Sequence, residues 1–233
     1  MTIDKIKLFL LSKILGRGGY SWYCSYIYNL NKKNYNKAGK NITLYAPLFL
    51  NPKFITLESN VRIQGGVRIV ASPKQNVIIK QFAAIGANSI LIPGNHTPTV
   101  GVPQYLSYLG VNDVNSTLVI NEDVWVGASS ILLSKAQIGR GAIIAGGSVV
   151  TKEVPPYAVV GGSPSKIIAV RFSIEEIIEH EKNLYPSESR FTEKYLDEIF
   201  TKYYTGLKVV GTSEISTDAY NELQREKIKL GIS

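Results

Sequence analysis

Residues 120–154 read INEDVWVGASSILLSKAQIGRGAIIAGGSVVTKEV, and an aliphatic side chain returns in them at every sixth place. Ile120, Val126, Leu132, Ile138, Ile144 and Val150 make that series. Four places after each comes a small or β-branched residue: Val124, Ser130, Ala136, Ala142, Ser148, Val154. Neither the helical period nor the alternation of an ordinary strand produces such spacing; a larger coil that repeats itself does. The expectation is an all-β solenoid in which each hexapeptide forms one side of a triangular coil. The aliphatic residue points inward and the small one lets the chain turn the corner.

The period extends towards the amino terminus with two interruptions. Ile55, Val61 and Val67 are six apart, and Ile79, Ile85 and Leu91 resume their phase, with Ser59, Gly65, Ala83 and Ser89 as the matching corner residues. Pro73 falls on an aliphatic place, which predicts an outward bulge over residues 71–76. The spacing from Leu91 to Ile120 is not a multiple of six. An extruded loop over residues 95–117 accounts for the reset, and an insertion on one side of a solenoid commonly marks its working face.

These readings divide the chain into an arm (1–41), a solenoid (42–170) and a tail (171–233). Lone Cys24 excludes an intramolecular disulfide and points to a reducing, cytoplasmic setting. No apolar run reaches transmembrane length, and Lys13 interrupts Leu8–Leu15 before it can form a signal core. The net charge is +8, yet residues 1–40 hold eight cations against Asp4 alone, so the rest of the chain is almost neutral. The arm also carries Tyr20, Trp22, Tyr23, Tyr26, Tyr28 and Tyr35, with Ile3, Ile6, Leu10 and Ile14 spaced along one helical face. Two compatible roles follow: a cap on the open end of the solenoid, or peripheral contact of residues 1–40 with an anionic membrane. Nucleic-acid binding is disfavoured, because the body offers no basic groove.

In the tail, Ser173 and Glu176 form a capping box ahead of Ile174, Ile177 and Ile178, which predicts a helix ended by Pro186. A second helix is expected around Phe191 to Phe200 and a third over Asp218 to Lys229, after a linker at residues 206–217. His180, between Glu179 and Glu181, reads as a solvated surface residue. The other histidine, His96, opens the extruded loop within Pro93-Gly94-Asn95-His96-Thr97-Pro98. An imidazole there can take a proton from an acceptor hydroxyl as it attacks an electrophile.

Val124-Trp125-Val126-Gly127-Ala128, Ala145-Gly146-Gly147-Ser148, Thr151-Lys152-Glu153-Val154-Pro155-Pro156 and Gly162-Ser163-Pro164-Ser165-Lys166 resemble the hexapeptide-repeat acyltransferases. Asn95-His96 most resembles the xenobiotic and polysaccharide branches of that family. The resemblance spans about residues 55 to 170. It implies a left-handed parallel β-helix, a homotrimer, active sites between adjacent subunits, and acetyl-CoA as co-substrate with no metal. By it His96 takes the place of the catalytic base and Asn95 that of its frequent neighbour. Trp125, Ala128, Gly146, Thr151 and Lys152 fall at positions that line the CoA groove, and Lys166 at a basic residue near the CoA phosphates. Ala128 and Gly146 depart from the usual serine and alanine, but both positions approach the pantetheine arm through main-chain groups.

On the loop, Tyr105 and Tyr108 are candidates to stack on a sugar face, or else to anchor the loop. The expected activity is O-acetylation of a surface-polysaccharide sugar or its precursor by direct transfer. N-acetylation of a nucleotide-linked amino sugar and acetylation of a xenobiotic are the alternatives within enzymes. A zinc-dependent solenoid would need three imidazoles, and one is plausible here. A silent scaffold is the non-enzymatic alternative.

Overall fold

A computed structural model describes residues 3–110, 113, 115–134, 136–212 and 214–230, with side chains described from Lys13 onward except Leu15. Among the described residues seventeen strands form three sheets, and the strands from β1 to β15 visit the sheets in turn. The first sheet contains β1 (Lys37–Ala38), β4 (Ile55–Leu57), β7 (Gln75–Ile79), β10 (Ser116–Ile120) and β13 (Gln137–Ile138). The second contains β2 (Thr43–Leu44), β5 (Arg62–Ile63), β8 (Ala84–Ile85), β11 (Trp125–Val126), β14 (Ile143–Ile144), β16 (Ala158–Gly162) and β17 (Ser165–Val170). The third contains β3 (Phe49–Leu50), β6 (Arg68–Ile69), β9 (Ile90–Leu91), β12 (Ile131–Leu132) and β15 (Val149–Val150). Pairing is parallel throughout, except that β16 and β17 close the last coil as an antiparallel hairpin. Paired strands start at Lys37, ahead of residue 42 where the solenoid was expected to begin.

In the best-patterned coils the register is Ile120 beside Ile138, Val126 beside Ile144 and Leu132 beside Val150, each eighteen residues apart. Three hexapeptides therefore complete one coil. A two-residue strand turns one side chain out and one in, so Trp125 faces out while Val126 is fully buried. All six aliphatic residues of the series are fully buried, as are Ser130, Ala136, Ala142 and Ser148 beside them. The corners between the first and second sheets, and between the second and third, need a left-handed backbone. Asp123, Ser129, Gly141, Gly147 and Tyr157 supply it.

The earlier coils correct the phase expected from sequence. Leu57, Ile63 and Ile69 are the strand residues that align with Ile79, Ile85 and Leu91. Ile55, Val61 and Val67 instead occupy the buried corner seats, level with Val77, Ala83 and Ser89. Ser59 and Gly65 are therefore not corner residues of the expected kind. The cause is four extra residues, since Leu57 and Ile79 lie twenty-two apart instead of eighteen. A tight turn absorbs them where the bulge was expected: Ser72 and Gln75 exchange backbone hydrogen bonds of 2.9 and 3.0 Å. The larger insertion leaves the prism after β9 and returns at Ser116, so Ile79 pairs with Ile120 across forty-one residues.

Helix α1 (Ile3–Tyr26) precedes the coils and is interrupted at Gly16. Residues 25–35 close the end of the prism. The Leu48 N–H donates to Ser25 O at 3.0 Å, the Asn29 amide donates to Leu48 O at 2.8 Å, and the Tyr35 hydroxyl donates to Asn29 O at 2.8 Å. The expected apolar face through Ile3, Ile6 and Leu10 lies outside the described side chains. No described helix is long and apolar enough to cross a membrane.

The tail forms α2 (Ile174–Leu184), α3 (Glu193–Ile199) and α4 (Thr217–Leu230). The Ser173–Glu176 capping box starts α2 as the sequence predicts. Part of the expected linker is paired, for Val170 donates to Lys208 O and Gly211 donates to Arg171 O.

His180 is not a solvated residue. Its ring sits against Tyr157 and Phe172, and Nε2 lies 2.9 Å from Asp123 Oδ2. The reason is the packing of α2 on the prism corner. Glu181, 1% exposed, receives hydrogen bonds from Arg140, the Tyr157 hydroxyl and the Phe191 N–H. A buried carboxylate is tolerated because a cation and two further donors meet it.

Candidate functional site

The extruded segment is fastened at its mouth. The Ser116 hydroxyl donates to Pro93 O at 2.6 Å, and the Ser116 N–H donates to Lys74 O at 2.9 Å. Gly94 passes so close to Gln75 that a Cβ there would lie 1.8 Å from its carboxamide carbon. His96 follows at once, its N–H held by Asn95 Oδ1 at 2.9 Å.

Nδ1 of His96 lies 3.2 Å from Asp113 Oδ1. Asp113 is only 9% exposed at its side chain, whereas His96 is 52% exposed. The Asp113 N–H donates to Gly110 O at 3.3 Å, and Gly110 ends the short 3₁₀ turn Gln104–Leu109 in a left-handed conformation. A carboxylate on Nδ1 favours the tautomer whose proton it accepts, which leaves Nε2 with a free lone pair. The arrangement can hold a neutral imidazole and steady its charged form. Asp113 was missed in the sequence, although it is the one acidic residue between 95 and 117. That signal was available.

Tyr105 and Tyr108 meet edge to face at 6.3 Å and are 86% and 70% exposed. Burial does not anchor the loop through them. Trp125 stands out from the second sheet, 57% exposed, between Ala84 and Ile143 of the flanking coils. Ala128 and Gly146 lie one coil apart where the second sheet passes to the third, and Gly147 N–H donates to Ala128 O at 2.9 Å. A Cβ on Gly127 would meet Gly146 N at 2.5 Å, so this edge keeps glycine for close stacking.

Thr151, Lys152, Gln137 and Glu153 line a shallow cleft where the third sheet passes back to the first. Lys166 is exposed on β17, opposite Gly161. The candidates therefore fall into groups. His96, Asn95, Thr151 and Lys152 belong to one edge of the prism; Trp125, Ala128, Gly146 and Lys166 belong to the second sheet and the next edge.

Residues 117–152 match the family described as bacterial transferase hexapeptide (six repeats). These residues therefore carry repeats of that family's type. The relatives are specific. A chloramphenicol acetyltransferase of Klebsiella aerogenes is 44% identical over 75 residues, which are 32% of this chain and 36% of that protein. The chain thus spans about a third of the length of that relative. Among solved structures, a galactoside acetyltransferase in complex with coenzyme A superposes with a TM-score of 0.56 at 20% identity, covering 82% of this chain and 92% of that one. A hexapeptide-repeat acetyltransferase of Vibrio cholerae gives 0.55 at 21% identity over 70% and 92%. At these identities the structures establish the fold.

Proposed function

We propose that the protein is an acetyl-CoA-dependent O-acetyltransferase acting on a sugar of a surface polysaccharide or its precursor. The observation that carries this reading is the His96–Asp113 pair at the mouth of an extruded loop, on repeats of the transferase type. The acceptor hydroxyl gives its proton to Nε2 of His96 while its oxygen bonds to the thioester carbonyl carbon. The carbon–sulfur bond then breaks, and the imidazolium returns its proton to the departing sulfur. Asp113 keeps the ring oriented and steadies its transient charge.

The two groups of candidates belong to different edges, and the reading joins them by assembly. In a left-handed parallel β-helix trimer, one subunit lends His96 and the loop to a groove on its neighbour. There Trp125, Ala128 and Gly146 border the pantetheine arm, and Lys152 and Lys166 meet the phosphates as point charges, with Thr151 beside Lys152. Tyr105 and Tyr108, exposed on the loop, offer rings to a sugar face. The relatives named chloramphenicol acetyltransferase favour a second reading, in which a xenobiotic hydroxyl is the acceptor.

Release of free thiol from acetyl-CoA, measured against a panel of sugars and chloramphenicol, tests both readings. Thiol release dependent on a sugar supports the first and release dependent on chloramphenicol the second. Absence of release, with no shift in melting temperature on adding CoA, overturns acyl transfer and leaves a scaffold.

A further inference from the structure

Some residues of the arm are fastened and others are exposed. Ser25, Asn29 and Tyr35 are buried against the end of the prism. Ile14 (79% exposed), Trp22 (56%), Tyr26 (40%) and Ile27 (48%) stand in water, with Trp22 stacked on Tyr26 at 5.6 Å. Exposed Lys32 and Lys33 follow directly. The cap therefore uses one part of the segment and leaves apolar and aromatic groups exposed in the same segment as exposed lysines.

We infer that these exposed residues of the arm dock on an anionic phospholipid surface. Indole and phenol rings settle at the headgroup level, isoleucines enter the acyl boundary, and lysines pair with acidic headgroups. Charge selects this occupant. A second copy of the same face would set one strongly basic surface against another. Nucleic acid would answer the lysines but leave Ile14 and Ile27 in water. The arm stands at the start of the coil order, and Lys166 on β17 stands at its end.

Flotation of the full-length protein tests it without any substrate. Partition into phosphatidylcholine vesicles containing phosphatidylglycerol is expected, with none into phosphatidylcholine alone, and it should weaken as salt rises. Lys32→Ser and Lys33→Ser are each expected to lower the partition about 5-fold. Trp22→Ala with Tyr26→Ala should weaken it at every salt concentration and leave the melting temperature unchanged. In a Trp125→Phe background the Trp22 emission should shift to the blue on anionic vesicles. Equal binding to neutral vesicles, or no binding to either, overturns the inference. So does a change of sedimentation in the aromatic variant with vesicle binding intact, which would assign the face to self-association. Retention on duplex DNA without vesicle binding would assign it to nucleic acid.

Discussion

The two histidines face one carboxylate each at similar distances, 3.2 Å for His96 and 2.9 Å for His180, yet they stand in opposite surroundings. His96 rides an extruded loop with half its side chain in solvent. His180 is 23% exposed, wedged between Tyr157 and Phe172, and its carboxylate is shared with Arg171 at 2.6 Å. A His–Asp pair is therefore not a function in itself. What decides is whether the ring keeps a lone pair directed at space a substrate can enter.

The largest contrast is expected from the same exchange at the two positions. His96→Ala should lower thiol release from acetyl-CoA about 10²–10⁴-fold with an unchanged melting temperature. His180→Ala should leave turnover of the folded protein unchanged and lower its melting temperature. Equal loss of activity at both positions would remove the distinction.

The tail corner should break most severely at its cation. Arg140 is 13% exposed, donates to Glu181 and Glu122, and stacks over Tyr185 and Phe191. Arg140→Ala leaves Glu181 buried without its counter-charge, and a loss of about 3–5 kcal/mol in denaturant unfolding is expected. On the loop side, Asp113→Asn should cost up to about 10²-fold in turnover with little change in stability, because the ring loses its orientation. A stability loss there comparable to that of Arg140→Ala would make Asp113 a structural residue.

Legibility in the sequence followed the same division. Where burial alone sets the pattern, as from Ile120 to Val150, the six-residue spacing reads directly as three sides of a coil. Ile55, Val61 and Val67 misled because a corner seat accepts isoleucine or valine as readily as serine, so spacing survives while phase slips. The four residues of the Ser72–Gln75 turn hide in that ambiguity. The place of His96 at the start of the extruded loop was legible from its neighbours in the chain. Glu181 and His180 were not, because the groups that allow their burial, Arg140 and Asp123, lie forty-one and fifty-seven residues away.

The smallest expected effect concerns Glu122, which accepts from Lys80 at 3.1 Å and Arg140 at 3.2 Å. Burial works to raise its pKa, but its own backbone N–H and the two cations outweigh that and hold the carboxyl below its ordinary value. A lowered value in the folded state means that folding favours the charged form. The stability it contributes is complete at neutral pH and is lost as the pH falls through the carboxylate range. Glu122→Gln should therefore lower the melting temperature most at neutral pH, and the difference from the native chain should shrink on acidification.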